Sequence, residues 1–387
     1  MDIPQVIADS KAELTEIFKD LHANPEIGFT ETRTASIVAE KLRAWGVDEV
    51  HEGLGKTGVV GLIKGRGGGN RRVGLRADMD ALPIHEATGL DYASETPGVM
   101  HACGHDGHTT MLLGAAKHLA ETRDFDGTAV LVFQPAEEGL GGARGMLADG
   151  LFEKFPCDEI YGMHNWPNGK PGSVGICKGT AMAGSTFFDI KINGKGSHAA
   201  MPHQSKDPLI VATALVGQLQ TIVSRNVAPL DSCVVSVTQI HSGSAYNVVP
   251  DSAELAGTIR YFSDEVCALA EQRMRDLCDG FAKAYDVDVV LDLRNVFNVL
   301  VNDAELSDAY LEAAADVVGA DNVTDAHQPV TGSEDFADML QVVPGAYCVV
   351  GHSGTTALHN PGYVLDPEIL PVGASILARV VEKRLAL

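Results

Sequence analysis

The sequence has few basic residues for its length, and it lacks any long apolar run. Only 29 lysine and arginine residues stand against 52 aspartate and glutamate residues, which gives a net charge of −23 at pH 7. A surface this acidic repels nucleic-acid phosphates and anionic lipid, so binding to either is not expected. No apolar run approaches the roughly 20 residues that span a bilayer. The composition therefore predicts a partner that is neither nucleic acid nor membrane.

The sequence also shows neither a cysteine framework nor a signal-peptide pattern. The cysteines are odd in number and widely scattered, at positions 103, 157, 177, 233, 267, 278 and 348. This usage is typical of a protein kept in a reducing compartment, without disulfides. The N-terminus has no basic segment followed by an apolar core, so no signal peptide is expected. We therefore expect a cytoplasmic protein.

What is present is an alternation of buried strands and amphipathic helices. At 387 residues the chain exceeds what one core usually supports, so two domains are expected. Helical spacing covers 4–22, 34–45 and about 107–121, and short apolar runs between glycine-rich turns cover 58–63, 73–77, 128–133 and 160–163. This pattern predicts a three-layer α/β domain with a mostly parallel sheet.

The pattern changes near residue 184 and changes back near residue 298. In between, strand and helix signals follow the order β-α-β-β-α-β, at 187–192, 207–224, 232–240, 253–262, 265–284 and 287–293. That order is the ferredoxin-like α+β arrangement. Helix 303–318 and strand 346–351 then resume the α/β style. The sequence therefore predicts a larger domain made of 1–183 and 299–387, with a smaller domain of 184–298 inserted into it.

The segment HACGHDGH, at 101–108, offers the first candidate metal ligands. Cys103 and His105 are two residues apart, so in an extended backbone their side chains leave the same face about 7 Å apart. A thiolate with an imidazole suits zinc, and manganese or cobalt are also compatible. By itself, such a pair is more often a buried cysteine beside a core histidine.

Further ligand-type residues follow other apolar runs. Glu137 and Glu138 come after run 128–133, His164 follows run 160–163, and His359 follows the late strand and a glycine-rich turn. Carboxylates at 78 and 80 follow run 73–77. Because the carboxyl ends of parallel strands share one edge of the sheet, these side chains are expected to meet there.

Glu137 and Glu138 are expected to have different roles. Two neighbouring side chains of a regular strand cannot both point at one ion, so one carboxylate ligates and the other faces the substrate. In a hydrolysis, the free carboxylate would take a proton from the metal-activated water and pass it to the leaving group, an effect of roughly 10²–10⁴ in rate. The alternative interpretation of the pair is a solvated acidic turn.

Taken together, the motifs resemble one family. DMDALP (78–83), HACGHDGH, QPAEEG (134–139), MHN (163–165) and GKGSHAAMP (194–202) are similar to those of the aminoacylase and carboxypeptidase-type metallohydrolases. The similarity is to the amidohydrolase branch, which includes hippurate hydrolases, bacterial N-acyl-amino-acid deacylases and plant auxin-conjugate hydrolases. It covers essentially the whole chain.

The resemblance implies a catalytic domain that holds two divalent metal ions (Zn, Mn or Co) and an inserted lid domain that mediates dimerisation. It implies Glu137 as the general base and Asp78 as a residue that orients a ligand. Arg76 and Cys103 stand where many relatives have a histidine and a bridging aspartate. The implied ligands are Cys103, His105, Glu138, His164 and His359.

The resemblance also suggests residues that contact the substrate. His198 would stabilise the oxyanion, which is worth about 3 kcal/mol for one such donor. Asn247 and Arg260 would bind a substrate carboxylate, for which the planar guanidinium is suited. Gly332 and Ser333 belong to a loop that would contact substrate. The remaining histidines, at 22, 51, 85, 118 and 241, have no such context and are expected to be structural or exposed.

The expected reaction is metal-dependent hydrolysis of N-acyl amino acids to a carboxylic acid and a free amino acid, in a homodimer. Alternatives are a dipeptidase or exopeptidase at the same site, a non-catalytic metal-binding protein, and a cysteine-nucleophile enzyme. A structural zinc site is closed by four protein ligands and needs no spare carboxylate. Five dispersed ligands with Glu137 therefore favour the hydrolase.

Overall fold

The structure is a computed structural model that describes all residues, 1–387. The chain forms two compact units. Unit 1 comprises Met1–Ala181, Val301–Pro329 and Asp335–Leu387, and unit 2 comprises Met182–Leu300 and Val330–Glu334. None of the helices combines the length and the apolar character that a bilayer crossing needs.

Sixteen strands occur along the chain: β1 Glu49–Leu54, β2 Gly58–Lys64, β3 Arg72–Asp78, β4 Thr128–Gln134, β5 Glu159–Trp166, β6 Val174–Gly175, β7 Gly179–Met182, β8 Gly184–Asn193, β9 Ser197–His198, β10 Cys233–Ser242, β11 Val248–Val249, β12 Ser252–Tyr261, β13 Asp288–Phe297, β14 Leu300–Asn302, β15 Val323–Thr324 and β16 Gly345–Gly351.

Eleven α-helices accompany them: α1 Gln5–Asp9, α2 Lys11–Ala23, α3 Thr32–Ala44, α4 His105–Thr122, α5 Gly142–Ala148, α6 Leu151–Lys154, α7 Pro208–Thr221, α8 Asp264–Tyr285, α9 Ala304–Val318, α10 Phe336–Leu340 and α11 Leu370–Arg384. Short 3₁₀ turns lie at Pro202–Gln204, Ala320–Asn322 and Pro367–Ile369, and a π-helical turn at Ile222–Asn226 extends α7.

Unit 1 is built on an eight-stranded sheet with the order β1-β2-β4-β3-β5-β16-β6-β15. The four central strands, β4-β3-β5-β16, run parallel to one another. On one side β2 is antiparallel to β4 and to β1, and on the other side β6 is antiparallel to β16. The central strands are almost entirely buried, as expected for near-continuous apolar runs covered on both faces. The predicted α/β class with a mostly parallel sheet is confirmed, and four carboxyl ends meet at one edge.

Two helices begin or end at places that the spacing did not predict. The apolar pattern at 4–22 predicted one helix, but the chain forms α1 and α2, with Ser10 between them. The Ser10 hydroxyl donates to the carbonyl of Val6 at 2.7 Å, a local side-chain bond that competes with helix continuation. Helix α4 starts at His105, two residues before the predicted start, which places this histidine on the first turn.

Unit 2 contains a four-stranded antiparallel sheet with the order β10-β12-β8-β13. Along β8, Phe188, Ile190 and Ile192 are buried while the residues between them are exposed, so the sheet has one packed face. Helices α7 and α8 pack on that core. Their N-termini are capped by the side chains of Asp207 and Ser263, which accept from backbone N–H groups of the first turn.

Candidate metal centre

Cys103 and His105 flank a glycine that turns the chain into α4. Gly104 has a φ of +90°, in the left-handed region that glycine adopts most easily. A Cβ at this position would lie 2.4 Å from Asn165 Nδ2, so no larger residue fits. The extended backbone expected across this segment is therefore not formed. A tight turn brings the two side chains together instead.

His105 presents one ring nitrogen to the centre of the site. Its Nδ1 donates to the carbonyl oxygen of Asp80 at 2.9 Å, which leaves Nε2 as the ligating atom. Nε2 is buried without a hydrogen-bond partner and lies 4.0 Å from both Glu137 Oε2 and Glu138 Oε1. Buried polar atoms are almost always satisfied, so this unpaired nitrogen beside two carboxylates fits a ligand of a cation.

His164 is held in the same tautomer. Its Nδ1 donates to the backbone oxygen of Asn165 at 2.7 Å, and its Nε2 lies 3.4 Å from Cys103 Sγ. Burial, reinforced by the neighbouring His108, lowers the pKa of His164 well below its usual value. The neutral ring is the form that binds a metal. Burial raises the pKa of the Cys103 thiol, and a bound cation would favour its thiolate form.

Glu137 and Glu138 follow a strained turn at the end of β4. Ala136 has a φ of +53°, which is uncommon for a residue with a side chain. Glu138 donates its backbone N–H to Asp80 Oδ2 at 3.0 Å. Its Oε1 is buried without a hydrogen bond, while the Glu137 side chain is 8 % exposed. The turn thus directs both carboxylates inward.

His359 approaches from the loop after β16. Its φ is +61°, and its backbone N–H donates to the carbonyl of Ala102 at 2.8 Å, which anchors the loop beside Cys103. Its Nε2 lies 3.2 Å from Glu138 Oε1. The Cys103 side chain and then the Glu138 carboxylate raise the pKa of His359 to about 10. Non-glycine residues in the left-handed region concentrate at functional sites, where surrounding contacts hold them.

The five predicted ligands are brought together, and they fit a pair of divalent cations. The candidate donor atoms lie within 4.8 Å of one another in each of three overlapping groups: Cys103, His105 and His164; Cys103, Glu138 and His359; and His105, Glu137 and Glu138. A sulfur, imidazoles and carboxylates form a donor set that suits zinc and neighbouring divalent metals. Cys103, His105 and Glu138 each belong to two of these groups, so the groups overlap in one site.

The charges around His105 also support a cation-binding site. Burial alone would lower the pKa of His105, but the charge of Asp78, followed by that of Cys103, outweighs burial and raises it well above its usual value. The same negative charges would stabilise a divalent cation beside His105. Because ligands bind metal in their deprotonated forms, metal affinity depends on pH.

Asp78 lies in a buried array with Arg76. Arg76 Nη1 donates to Asp78 Oδ2 at 2.8 Å, and its Nη2 donates to Asp335 Oδ1 at 3.1 Å. Asp78 Oδ1 accepts from His108 Nδ1 at 2.7 Å, whereas its Oδ2 is 3.9 Å from His105 Nε2. The residue that hydrogen-bonds the ligand His105 is Asp80, so sequence reasoning missed it as an orienting group. Its place two residues after Asp78, beyond the end of the same strand, was the available signal.

In unit 2 the structure brings His198 and Asn247 together. Residues 197–198 form β9, which pairs with β11, and Ala199 donates its N–H to the Asn247 carbonyl at 3.0 Å. Both predicted side chains are exposed. This small ribbon fixes the backbone of the two candidates and leaves their side chains accessible.

Arg260 is half-buried on β12 and forms no ion pair. Its Nη1 donates to Ser185 Oγ at 2.6 Å and to the Thr258 hydroxyl. No carboxylate of the chain lies within ion-pair distance of the guanidinium, although acidic residues far outnumber basic ones. A partly desolvated cation without a counter-ion is suited to bind an anionic ligand.

Gly332 and Ser333 lie on the second segment of unit 2. Ala183 donates its N–H to the Gly332 carbonyl at 3.0 Å, which ties the segment to the start of β8. The Ser333 Oγ is buried and has no hydrogen-bond partner. The hydroxyl is therefore free to bond a ligand.

Comparison with known proteins identifies similar sequences over most of the chain. Residues 74–383 match peptidase family M20/M25/M40. The hippurate hydrolase of Campylobacter jejuni is 43% identical over 383 residues, which cover 99% of each chain. The N-acetylcysteine deacetylase of Bacillus subtilis is 39% identical over 372 residues, covering 95% of each chain.

The fold of this chain is also similar to that of a solved structure. The YXEP protein of Bacillus subtilis, a dinuclear metal-binding peptidase of the M20 family, aligns with a TM-score of 0.85 and 34% identity. The alignment covers 98% of this chain and 99% of that one. The shared length includes both units.

Proposed function

This chain belongs to peptidase family M20/M25/M40, and we propose that it hydrolyses N-acyl amino acids to a carboxylic acid and a free amino acid. As a member with close amidohydrolase relatives, it is a metal-dependent hydrolase that acts on amide bonds. Two relatives are named for hippurate and N-acetylcysteine, and each of these compounds is an amino acid with a small acyl group on its nitrogen. An acetyl, benzoyl or other aryl-acyl conjugate is the corresponding substrate here.

The observation that carries the proposal is the buried Glu137 carboxylate beside a ligand set that already includes Glu138. Glu137 Oε2 lies 4.0 Å from the orphan Nε2 of His105. A structural site would have no use for this additional carboxylate. Its position supports a general base next to the metals.

We assign Cys103, His105, Glu138, His164 and His359 as ligands of two divalent ions, of zinc, manganese or cobalt. When bound, such ions polarise the substrate carbonyl and lower the pKa of a coordinated water towards ~7. The donor groups overlap at Cys103, His105 and Glu138, which supports more than one ion at this site. The carbonyl of Asp80 holds His105, and the carbonyl of Asn165 holds His164, in the tautomer that leaves Nε2 free.

In this proposal, side chains of the protein transfer the proton and bind the negatively charged groups of the substrate. Glu137 takes the proton of the attacking water and delivers it to the leaving amine nitrogen, so the amine departs neutral. His198 donates to the carbonyl oxygen as it becomes an oxyanion, an interaction worth about 3 kcal/mol. Arg260 and Asn247 bind the carboxylate of the amino-acid part, and Gly332 and Ser333 contact the same substrate. The lack of an acidic partner for Arg260 supports its assignment.

We further propose that the inserted domain, 184–298, acts as a lid and mediates dimerisation. The exposed side chains of His198 and Asn247 support a substrate-facing role for this domain. Light scattering on the purified protein would give a dimer mass if the domain has this role, and a monomer mass would contradict the dimerisation part.

The function is tested by reconstituting the protein with Zn²⁺, Mn²⁺ or Co²⁺ and measuring free amine released from two matched panels. One panel contains N-acetyl and N-benzoyl amino acids, and the other contains dipeptides with the same C-terminal residues. We expect hydrolysis of the first panel, loss of activity with a chelator, and recovery on metal addition. A dipeptide preference would instead favour the peptidase alternative, and full activity in chelator would favour a cysteine nucleophile.

A further inference from the structure

Asn165, the residue after His164, has a fully occupied side chain at the base of the metal centre. It is 1% exposed. Its Nδ2 donates to the Cys103 carbonyl at 2.6 Å and to His108 Nε2 at 3.0 Å. Its Oδ1 accepts from the Tyr363 hydroxyl at 2.7 Å and from His352 Nε2 at 3.1 Å. The amide thus has a polar partner in each of its four hydrogen-bonding directions, and its Nδ2 shares the His108 Nε2 acceptor with the Asn165 backbone N–H.

The backbone of Asn165 also contacts the site. Its carbonyl accepts from Nδ1 of His164, the bond that leaves Nε2 of that ring free, and its N–H donates to His108 Nε2 at 3.0 Å. One residue therefore bonds both the backbone of Cys103, in the turn before α4, and the ring of His164, on β5. We propose that Asn165 is a positioning residue that fixes the Cys103 side chain and the His164 imidazole relative to each other, so that both could bind metal.

The orientation of the amide is determined by its neighbours. His108 Nδ1 donates to Asp78 Oδ1, so its Nε2 is an acceptor, which faces the Asn165 N–H and Nδ2 and would repel the amide oxygen. On the opposite side, His352 Nδ1 accepts from the N–H of Gly354, so its Nε2 is a donor that needs Oδ1. A reversed amide would place oxygen against the Cys103 carbonyl and the lone pair of His108. The asymmetry of the surroundings thus specifies asparagine.

The space around the amide is equally restricted. A Cβ on Gly104 would meet Asn165 Nδ2 at 2.4 Å and the Tyr363 hydroxyl at 2.8 Å. The turn between Cys103 and His105 therefore packs directly on this hydrogen-bond network. A change at position 165 is transmitted to the thiolate through both the carbonyl bond and this contact.

This inference rests on the proposed metal centre, and Asn165→Asp tests it. The substitution preserves size but replaces the donor Nδ2 by an oxygen that faces two acceptors. Co²⁺ is the probe, because its absorption reports both its affinity and the presence of a thiolate ligand. The matched control is Asn302→Asp, since Asn302 is also buried and bonds backbone groups, the carbonyl of Cys177 and Tyr347 among them, without touching a proposed ligand.

We expect Asn165→Asp to weaken Co²⁺ binding by 10–100-fold and to shift the thiolate absorption, as is typical of residues that orient ligands. Its kcat for an N-acyl amino acid should fall more than its KM rises. Asn302→Asp should retain the wild-type affinity and spectrum. Unchanged Co²⁺ affinity and spectrum in Asn165→Asp would overturn the proposal.

If Asn165→Asp does not fold, Tyr363→Phe takes its place, because it removes one hydrogen bond to Oδ1 and keeps the ring. A severalfold weaker Co²⁺ affinity is then expected, and an affinity and spectrum equal to wild type would overturn the proposal. A wild-type protein that binds no Co²⁺ would instead contradict the metal centre itself, so the two failures are distinguishable.

Discussion

The Glu31 carboxylate accepts a hydrogen bond from the backbone N–H of Ala136 at 2.8 Å, and Ala136 is the strained residue directly before Glu137. The other oxygen of Glu31 accepts from the Thr57 hydroxyl at 2.6 Å. Glu31 is fully buried, and burial raises its pKa. This carboxylate therefore holds the turn that directs the general base and a metal ligand inward.

Glu31→Ala should lower both stability and activity. The substitution leaves two buried donors without an acceptor, which costs about 1–3 kcal/mol for each group. The turn at Ala136 can then relax out of the left-handed region, so Glu137 moves. Denaturant unfolding and kcat measured on the same preparation check this. A variant with lower stability but wild-type kcat would show that Glu31 does not position the turn.

Asp80→Ala should weaken metal binding. Asp80 Oδ2 accepts from the N–H of Glu138, and its Oδ1 lies 3.3 Å from His105 Nδ1, so the side chain joins two proposed ligands. Loss of such an orienting group typically costs 10–100-fold in affinity. A competition titration with a coloured chelator measures it. Affinity equal to wild type would mean that the Asp80 carbonyl alone orients His105.

Arg76→Met should be strongly destabilising. The guanidinium is completely buried between Asp78 and Asp335, and its removal takes a positive charge away from two buried carboxylates. Breaking a buried ion pair in this way costs about 3–5 kcal/mol. Arg72→Met, at the start of the same strand and partly exposed, is the matched control and should stay within about 0.5 kcal/mol. Equal unfolding free energies for the two variants would contradict the prediction.

His22 should make stability depend on pH. Burial alone lowers the pKa of His22, but its bonds to Asp106, at 2.6 Å, and Glu86 outweigh burial and raise the pKa from 6.5 to about 9. At about 1.4 kcal/mol per pKa unit, this amounts to something on the order of 3 kcal/mol. Because the folded-state pKa is the higher one, the stabilisation is complete below pH 6.5 and is lost as pH rises through about 9.

The measurement is the unfolding free energy of wild type and His22→Gln between pH 6 and 10. The difference between the two proteins should be largest at the acidic end and should shrink steadily above neutrality. A difference that is constant across this range would show that His22 is not charged in the folded protein.

The sequence predicted the sheet and the main helices because buried parallel strands are read from continuous apolar runs. The glycine at 104 and the residue at 136 show where this reasoning stops. Both take left-handed conformations that periodicity does not encode, and the turn at Gly104 replaces the extended segment expected there. Ligand identity was accessible because the ligands stand in dense local motifs at strand ends.

The supporting residues were harder to find because their partners are distant along the chain. Glu31 bonds Ala136 across 105 positions, and Asn165 bonds Tyr363 across 198. His22 was expected to be structural or exposed, and it is a buried partner of two carboxylates. Sequence spacing carries no information on such pairs, since they are defined only when the sheet edge is assembled.

The central claim is that Glu137 moves the proton in amide hydrolysis, and turnover by Glu137→Gln tests it most directly. With the metal content and unfolding free energy of the variant equal to those of wild type, kcat for an N-acyl amino acid should fall by at least about 10²-fold. A metal-loaded, folded Glu137→Gln protein with wild-type kcat would contradict the account.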